Sequence, residues 1–295
     1  MIRLIPHSEI NKQLWDAVID AAPQQNIYAY SWYLDIACPG WQALILDDYD
    51  AIMPLPVNRK WGISYVYRPY FIQQLGVFSK PGYENTVMLF AKSLLNHFRF
   101  VAYAFNNYNQ AYITTHDKML WQSNNNYVLV NQPVYNTNLR RNLKQACNHN
   151  LEILNMDERL IVDLFRSNKG VQITNLKQQH YTTFIKICQA VKIHAYMHAL
   201  GISFEQQPCA GMIIFEIKNT HVFIFSATNN LAKQCKAMPF LIDYYLNKHK
   251  PLVFDFEGSN QSKLAQFYKS FGSTLQTYSM LKINTLPAPV KWLKK

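Results

Sequence analysis

Leu252-Val253-Phe254-Asp255-Phe256-Glu257-Gly258-Ser259, followed by Lys263-Leu264-Ala265-Gln266-Phe267-Tyr268-Lys269-Ser270-Phe271-Gly272, is the stretch that decides the fold. Side chains along a strand alternate between faces. Leu252, Phe254 and Phe256 therefore share one face, and Val253, Asp255 and Glu257 the other. The first segment reads as a buried strand, Leu252 to Phe256, with carboxylates at its end, where an unpaired charge is costly. Glu257 or Asp255 has the place to take a proton from an attacking amine. Equally, Asp255 can pair with a backbone or basic group and only pin a loop. The second segment is an amphipathic helix, Ser262 to Ser270, stopped at Gly272. A last strand, Thr274 to Ile283, leads to an extended Pro287-Ala288-Pro289 tail.

Upstream, Phe204 to Ile217 and His221 to Thr228 read as two strands around the turn Lys218-Asn219-Thr220. A polar, basic loop follows from Asn229 to Ala237, and a helix starts at Met238-Pro239 and continues through Phe240 to Asn247, closed by Pro251. Proline suits a first helical turn, and the free amides and dipole of that turn favour an anion. Asn230, Lys233, Gln234, Lys236 and Ala237 thus form a candidate phosphate-binding segment. The plainer alternative is an exposed connector with two solvated lysines.

The rest of the second half begins with a basic helix, Asn138 to His149, carrying Arg140, Arg141 and Lys144. A strand (Leu151 to Leu154), a helix near Asp157 to Phe165 and another from His180 to Ala190 follow. The first half reads as a helix from Ile10 to Ala21 ended by Pro23, then a short helix capped by Ser31. A hairpin comes next, with strands Trp41 to Leu46 and Ala51 to Val57 around the acidic turn at Asp47 to Asp50. A turn at Arg59 to Gly62, a β-prone stretch Tyr65 to Phe78, a helix Thr86 to Phe98, a strand Phe100 to Phe105 and a short strand Tyr127 to Val130 complete it. Both halves follow helix, hairpin, helix, strand, which predicts mixed sheets flanked by helices.

Length and composition agree with this reading. The 295 residues exceed what one hydrophobic core usually serves, so two domains are expected, 1–135 and 136–295. The 19 Tyr, 17 Phe and 6 Trp suit a sheet-rich protein. No apolar run reaches 18 residues, and Pro6 interrupts the short apolar start, so neither a membrane span nor a secretion leader is expected. Five scattered cysteines without CxxC spacing fit reduced thiols in a cytoplasmic protein. Up to Tyr135 the chain carries nine Lys+Arg and nine Asp+Glu; from Asn136 onward it carries twenty against nine, so the whole excess of +11 lies in the second half. That asymmetry suits an anionic partner such as a phosphate-bearing cofactor, tRNA or a membrane surface, or simply a solvated basic face. The nine histidines show no HExxH or similar spacing, so no metal is expected. A Rossmann fingerprint, a Walker loop and a G-x-S-x-G elbow are all missing.

Two separated segments carry a family resemblance. Tyr268 with Gly272 resembles the Tyr-x-x-x-Gly-Phe ending of the GNAT acetyltransferase core, although Ser273 follows Gly272. Phe-Asp-Phe-Glu-Gly-Ser and Phe-Tyr-Lys-Ser-Phe-Gly together are similar to the C-terminal pattern of Fem-like peptidoglycan-bridge aminoacyltransferases. The helix at Arg140-Arg141-Asn142-Leu143-Lys144-Gln145-Ala146 looks like the basic helix that opens their second domain. The first half matches loosely, through Met53 to Pro56 and Gln73 to Gly76.

The resemblance implies an α/β (α+β) protein of two tandem GNAT-like domains, the first degenerate and the second carrying the basic donor-binding loop. It implies acyl or aminoacyl transfer to an amine, with a cell-wall precursor as one acceptor class. The donor it implies is aminoacyl-tRNA or acyl-CoA, its phosphates near Lys233, Lys236 and the Pro239 helix start, with Tyr268 assisting the leaving group. Acetyl-CoA enzymes carry a glycine-rich loop where Asn230 to Ala237 holds no glycine. A Cβ at every position restricts the φ > 0 conformations that wrap backbone amides around a phosphate. A small-molecule N-acetyltransferase and a non-catalytic binding member of the fold are the alternatives.

Overall fold

The computed structural model describes residues 1–287, so Ala288 and Pro289 of the expected extended tail lie outside the described residues. The chain divides into two units, Met1–Asn124 with Thr277–Lys295, and Asn125–Gln276. A single cut at 135/136 does not capture this division, because the final strand returns the chain to the first unit.

In the first unit the elements are β1 (Ile2–Ile5), α1 (Lys12–Ala21), α2 (Ser31–Ala37), β2 (Gln42–Leu46), β3 (Ala51–Leu55), β4 (Val57–Lys60), β5 (Ile63–Tyr67), β6 (Phe78–Ser79), α3 (Val87–His97) and β7 (Phe100–Ala104). An antiparallel sheet runs β1-β2-β3-β6. Its hairpin turns where expected, with Asp47 and Tyr49 in the left-handed region (φ 46° and 58°). The Asn11 side chain caps α1 by accepting from the amides of Gln13 and Leu14. Ser31 does not cap α2 as the sequence suggests; it is the first helical residue, and its amide and hydroxyl both donate to Asp16 at 2.7 Å. The aspartate of α1 thus satisfies the orphan donor that a cap residue normally would.

The second unit contains the later part of β8 (Leu120–Val130), then α4 (Thr137–Ala146), β9 (Leu151–Asn155), α5 (Glu158–Ser167), α6 (Gln178–His194), β10 (Tyr196–Phe204), β11 (Gln207–Ile217), β12 (Thr220–Thr228), α7 (Asn230–Gln234), α8 (Ala237–His249), β13 (Val253–Asp255), α9 (Ser262–Lys269) and the start of β14 (Thr274–Asn284). Its strands lie in the order β8-β13-β12-β11-β10-β9, with β12 and β13 parallel and the other pairs antiparallel. One face is covered by apolar residues of α4, α8 and α9, which pack on Leu200, Ile202, Met212, Ile214, Phe223, Phe254 and Phe256. Phe184 of α6 stacks on Phe225 at 4.7 Å, and Phe165 of α5 lies 4.9 Å from the same ring. Phe223 and Phe225 reach opposite faces because the β11–β12 register shifts between Ile213 and Ile214.

Three sequence expectations change here. Phe204 to Ile217 is not one strand: the chain turns at Glu205 and Gln206, both at positive φ (52° and 61°), and β10 precedes the turn. Asn229 to Ala237 is not an open loop but holds α7, capped by Asn229 accepting from the Ala232 amide. Leu252 is 53% exposed, so the buried strand begins after it. Among the described residues no helix is long and apolar enough to cross a membrane.

Candidate active site

β12 and β13 pair only over Thr220–Val222 and Val253–Asp255. β12 continues to Thr228 while β13 stops, so the two parallel strands part beyond this point. Splayed strand ends of an α/β sheet are where ligands gather. The carboxylates of the opening motif stand at this position.

Asp255 ends β13. Its carboxylate accepts from the Glu257 amide at 2.7 Å and from the Asn126 side-chain amide at 3.2 Å. Although the residue keeps some exposed area, its carboxyl lies deep among protein atoms. That burial raises its pKa to about 6, against the lowering effect of the two hydrogen bonds. Glu257 adopts φ 60°, which breaks the strand alternation that placed it beside Asp255. Its carbonyl accepts from the Tyr127 amide at 3.1 Å, and Tyr127 in turn accepts from Phe256.

Tyr268, on α9, is 7% exposed and stacks on Phe256 with centroids 4.9 Å apart. Burial raises its hydroxyl well above the usual tyrosine range, and the charges of Glu257 and then Asp255 add to this. Its hydroxyl makes no hydrogen bond among the described residues. Glu257 and Asp255 thus act on Tyr268 through their charges, while Asp255 with Asn126 stands on the sheet face opposite Phe256, where Tyr268 packs beside Tyr127; no motif marked Asn126 or Tyr127.

The other candidates are arranged differently. Lys236 is the residue before α8, at φ 56°, and its side chain makes no cap bond. Lys233 is exposed and donates to the Asn230 side-chain oxygen at 3.2 Å. Gln234 closes α7 and is exposed, while Ala237 opens α8 and is fully buried in the core. In α7 the Ala232 amide is capped by the Asn229 side chain, and Cys235, just after the helix, donates to the Leu231 carbonyl. Arg140, Arg141 and Lys144 are exposed on α4, which packs beside α8, and have no ion-pair partner among the described residues. An open groove of about 360 Å³ lies between α5 and α6, lined by Arg159, Arg166 and Lys186 among others, and none of the predicted site residues borders it.

Sequence spacing also left unnoticed a trio formed by His198, Glu216 and His221 on adjacent strands. Residues separated by 18 and 5 positions carry no motif; only strand register brings them together.

The arrangement of strands and helices is a Fem/GNAT-like fold. No protein-family model and no curated protein matches the chain. Among solved structures it is similar to FemX (9% identity, covering 99% of each chain, TM-score 0.66). It is also similar to the C-terminal domain of a protein from Agrobacterium fabrum described as a lysylphosphatidylglycerol synthetase (9% identity, 96% of this chain and 95% of that one, TM-score 0.58). A GNAT-family acetyltransferase from Colwellia psychrerythraea is a third (12% identity, 96% and 100%, TM-score 0.51).

Proposed function

We propose that this protein transfers an aminoacyl group from aminoacyl-tRNA to an amine, in the manner of the Fem-like branch, with a cell-wall precursor peptide as acceptor. The observation that carries the reading is that Asp255 and Glu257, where β12 and β13 part, act through their charges on the buried Tyr268. The amine nitrogen attacks the ester carbonyl of the donor, and the carbon–oxygen bond to the tRNA ribose breaks as the new amide bond forms. Asp255 accepts the proton lost by the amine; a carboxylate whose pKa lies near 6 is a better base than an ordinary one and is still ionised at neutral pH. Tyr268, with a free hydroxyl, donates to the departing ribose oxygen, and Glu257 shapes the turn that holds Asp255.

Two features favour tRNA over an acyl-CoA donor. The segment where acetyl-CoA enzymes wrap a pyrophosphate in a glycine-rich loop is here the glycine-free helix α7, with the Ala232 amide already capped by Asn229. Arg140, Arg141 and Lys144 instead offer unpaired cations along an exposed helix, which suits an extended phosphate backbone.

The test is direct. Purified protein should bind aminoacyl-tRNA in a salt-sensitive manner and pass the amino acid to a lysine-bearing muropeptide, while acetyl-CoA gives no saturable thermal stabilisation. Stabilisation by CoA thioesters without tRNA binding would replace this reading with acyl-CoA-dependent N-acetyl transfer. Failure of both ligands at low salt would leave a non-catalytic binding protein.

A further inference from the structure

The trio of His198 on β10, Glu216 on β11 and His221 on β12 is separate from the site above. Glu216 is the direct register partner of His221, and His198 stands two residues from Tyr196, the partner of Glu216 on the other side. All three side chains therefore project from the same sheet face, the one covered by α8. His221 pairs with Phe254 across the parallel β12–β13 ladder, so Asp255 occupies the opposite face.

His198 Nε2 lies 2.7 Å from Glu216 Oε2, and His221 Nε2 lies 3.8 Å from the same oxygen. One ligand atom from each of the three falls within 4.8 Å of the others. Four donors at bond lengths near 2.0–2.1 Å around a tetrahedral ion are about 3.3 Å apart, so small side-chain rotations would seat an ion at their centre. His221 Nδ1 is already engaged with the Tyr245 hydroxyl at 2.7 Å, which leaves Nε2 as the nitrogen facing Glu216. Such an outer partner is what orients a ligating imidazole. A fourth imidazole stands nearby: the His249 ring is 4.6 Å from that of His198 and stacks on Tyr245 at 4.3 Å. His249 is the last residue of α8, so the negative end of that helix dipole lies where a cation would gain from it.

We propose that His198, Glu216 and His221 form a binding site for one divalent transition-metal ion, with His249 within reach as a further ligand. Two imidazoles and a carboxylate are a mixed nitrogen and oxygen set; it suits zinc, cobalt, nickel or iron(II) and disfavours calcium or magnesium, which take oxygen ligands. Placed beside the end of α8 and tying three strands together, the ion would clamp the sheet rather than enter the transfer chemistry.

The experiment uses the full chain stripped with a chelator and titrated with Co²⁺, read by visible d–d absorption, alongside thermal denaturation with Zn²⁺. The expected result is one equivalent of Co²⁺ with absorption bands of a tetrahedral or five-coordinate ion, and a melting temperature that rises with Zn²⁺ concentration. His198→Gln and Glu216→Gln, at partly exposed positions, should each fold and weaken both responses at least tenfold. No band and no shift in the parent protein would overturn the proposal. So would responses that persist in the His198→Gln/Glu216→Gln double variant, because the ion would then be bound elsewhere, for example at a cysteine.

Discussion

The acidic groups of the first unit and the basic helix of the second differ in how their charges are placed, and one buried tyrosine in each differs in the partners of its hydroxyl. In the first, Asp35 is paired with Lys12, His7 and Trp41, Asp50 with Lys80, Asp47 with the N-terminal amine, and Asp16 with Ser31 through two short bonds. In the second, Arg140, Arg141, Lys144 and Lys236 have no ion-pair partner among the described residues. Two buried tyrosines, Tyr103 and Tyr268, also differ. Tyr103 in the first unit donates to the Pro54 carbonyl at 2.8 Å and accepts from the Gly76 amide at 3.0 Å. Tyr268 in the second is nearly as buried, yet its hydroxyl makes no hydrogen bond among the described residues.

The largest expected effect concerns that pair of tyrosines. Tyr268→Phe should lower transfer by about 10²–10⁴-fold, the usual worth of a positioned acid, with little change in denaturation midpoint. Tyr103→Phe should do the reverse, leaving transfer intact per folded molecule and costing about 1–3 kcal/mol, because it orphans buried backbone groups. Steady-state rates and urea unfolding of both variants check this. An unchanged rate for Tyr268→Phe would erase the distinction between the units.

A smaller effect separates two aspartates that burial raises in pKa, Asp16 and Asp255. Asp16→Ala should destabilise by about 1–3 kcal/mol, since the Ser31 amide and hydroxyl lose their acceptor. For Asp255 the sign is opposite. Its folded pKa of about 6 exceeds its ordinary value of 3.8, so the folded state holds the proton more tightly. Stability should fall as pH rises from about 4 to 6 and stay lower above that, by on the order of 1–3 kcal/mol. Asp255→Asn should remove that slope and stabilise the protein at pH 7.5, as measured by chemical denaturation across pH.

The smallest effect on stability falls on the basic helix. Changing Arg140, Arg141 and Lys144 together to Ala should shift unfolding by less than about 0.5 kcal/mol. The same change should reduce the slope of log affinity for tRNA against log salt by roughly 2 to 3.

Much of this was legible in the sequence. The first hairpin, α3 with β7, and the helix α5 follow from periodicity and turn chemistry, and the Fem-like motif correctly pointed to the fold. What escaped reading turns on left-handed residues that are not glycine. The β10–β11 hairpin bends at Glu205 and Gln206, where Asn-Gly would have announced it. Glu257 leaves the strand alternation at φ 60°, and Lys236 at φ 56° sets the start of α8 after a helix that looked like a loop. The histidine–glutamate trio was invisible for a different reason: its members belong to three strands, and their meeting depends on a register that no single segment encodes.

The most direct measurement of the central claim is the pH dependence of single-turnover transfer from aminoacyl-tRNA in the parent protein and in Asp255→Asn. The account predicts a parent rate that climbs with pH to a plateau, half-maximal near pH 6, and a variant that folds more stably yet transfers at least a hundredfold more slowly with that limb gone. A variant that kept the parent's rate and profile would contradict it, and would reduce Asp255 to a peg for the Glu257 turn.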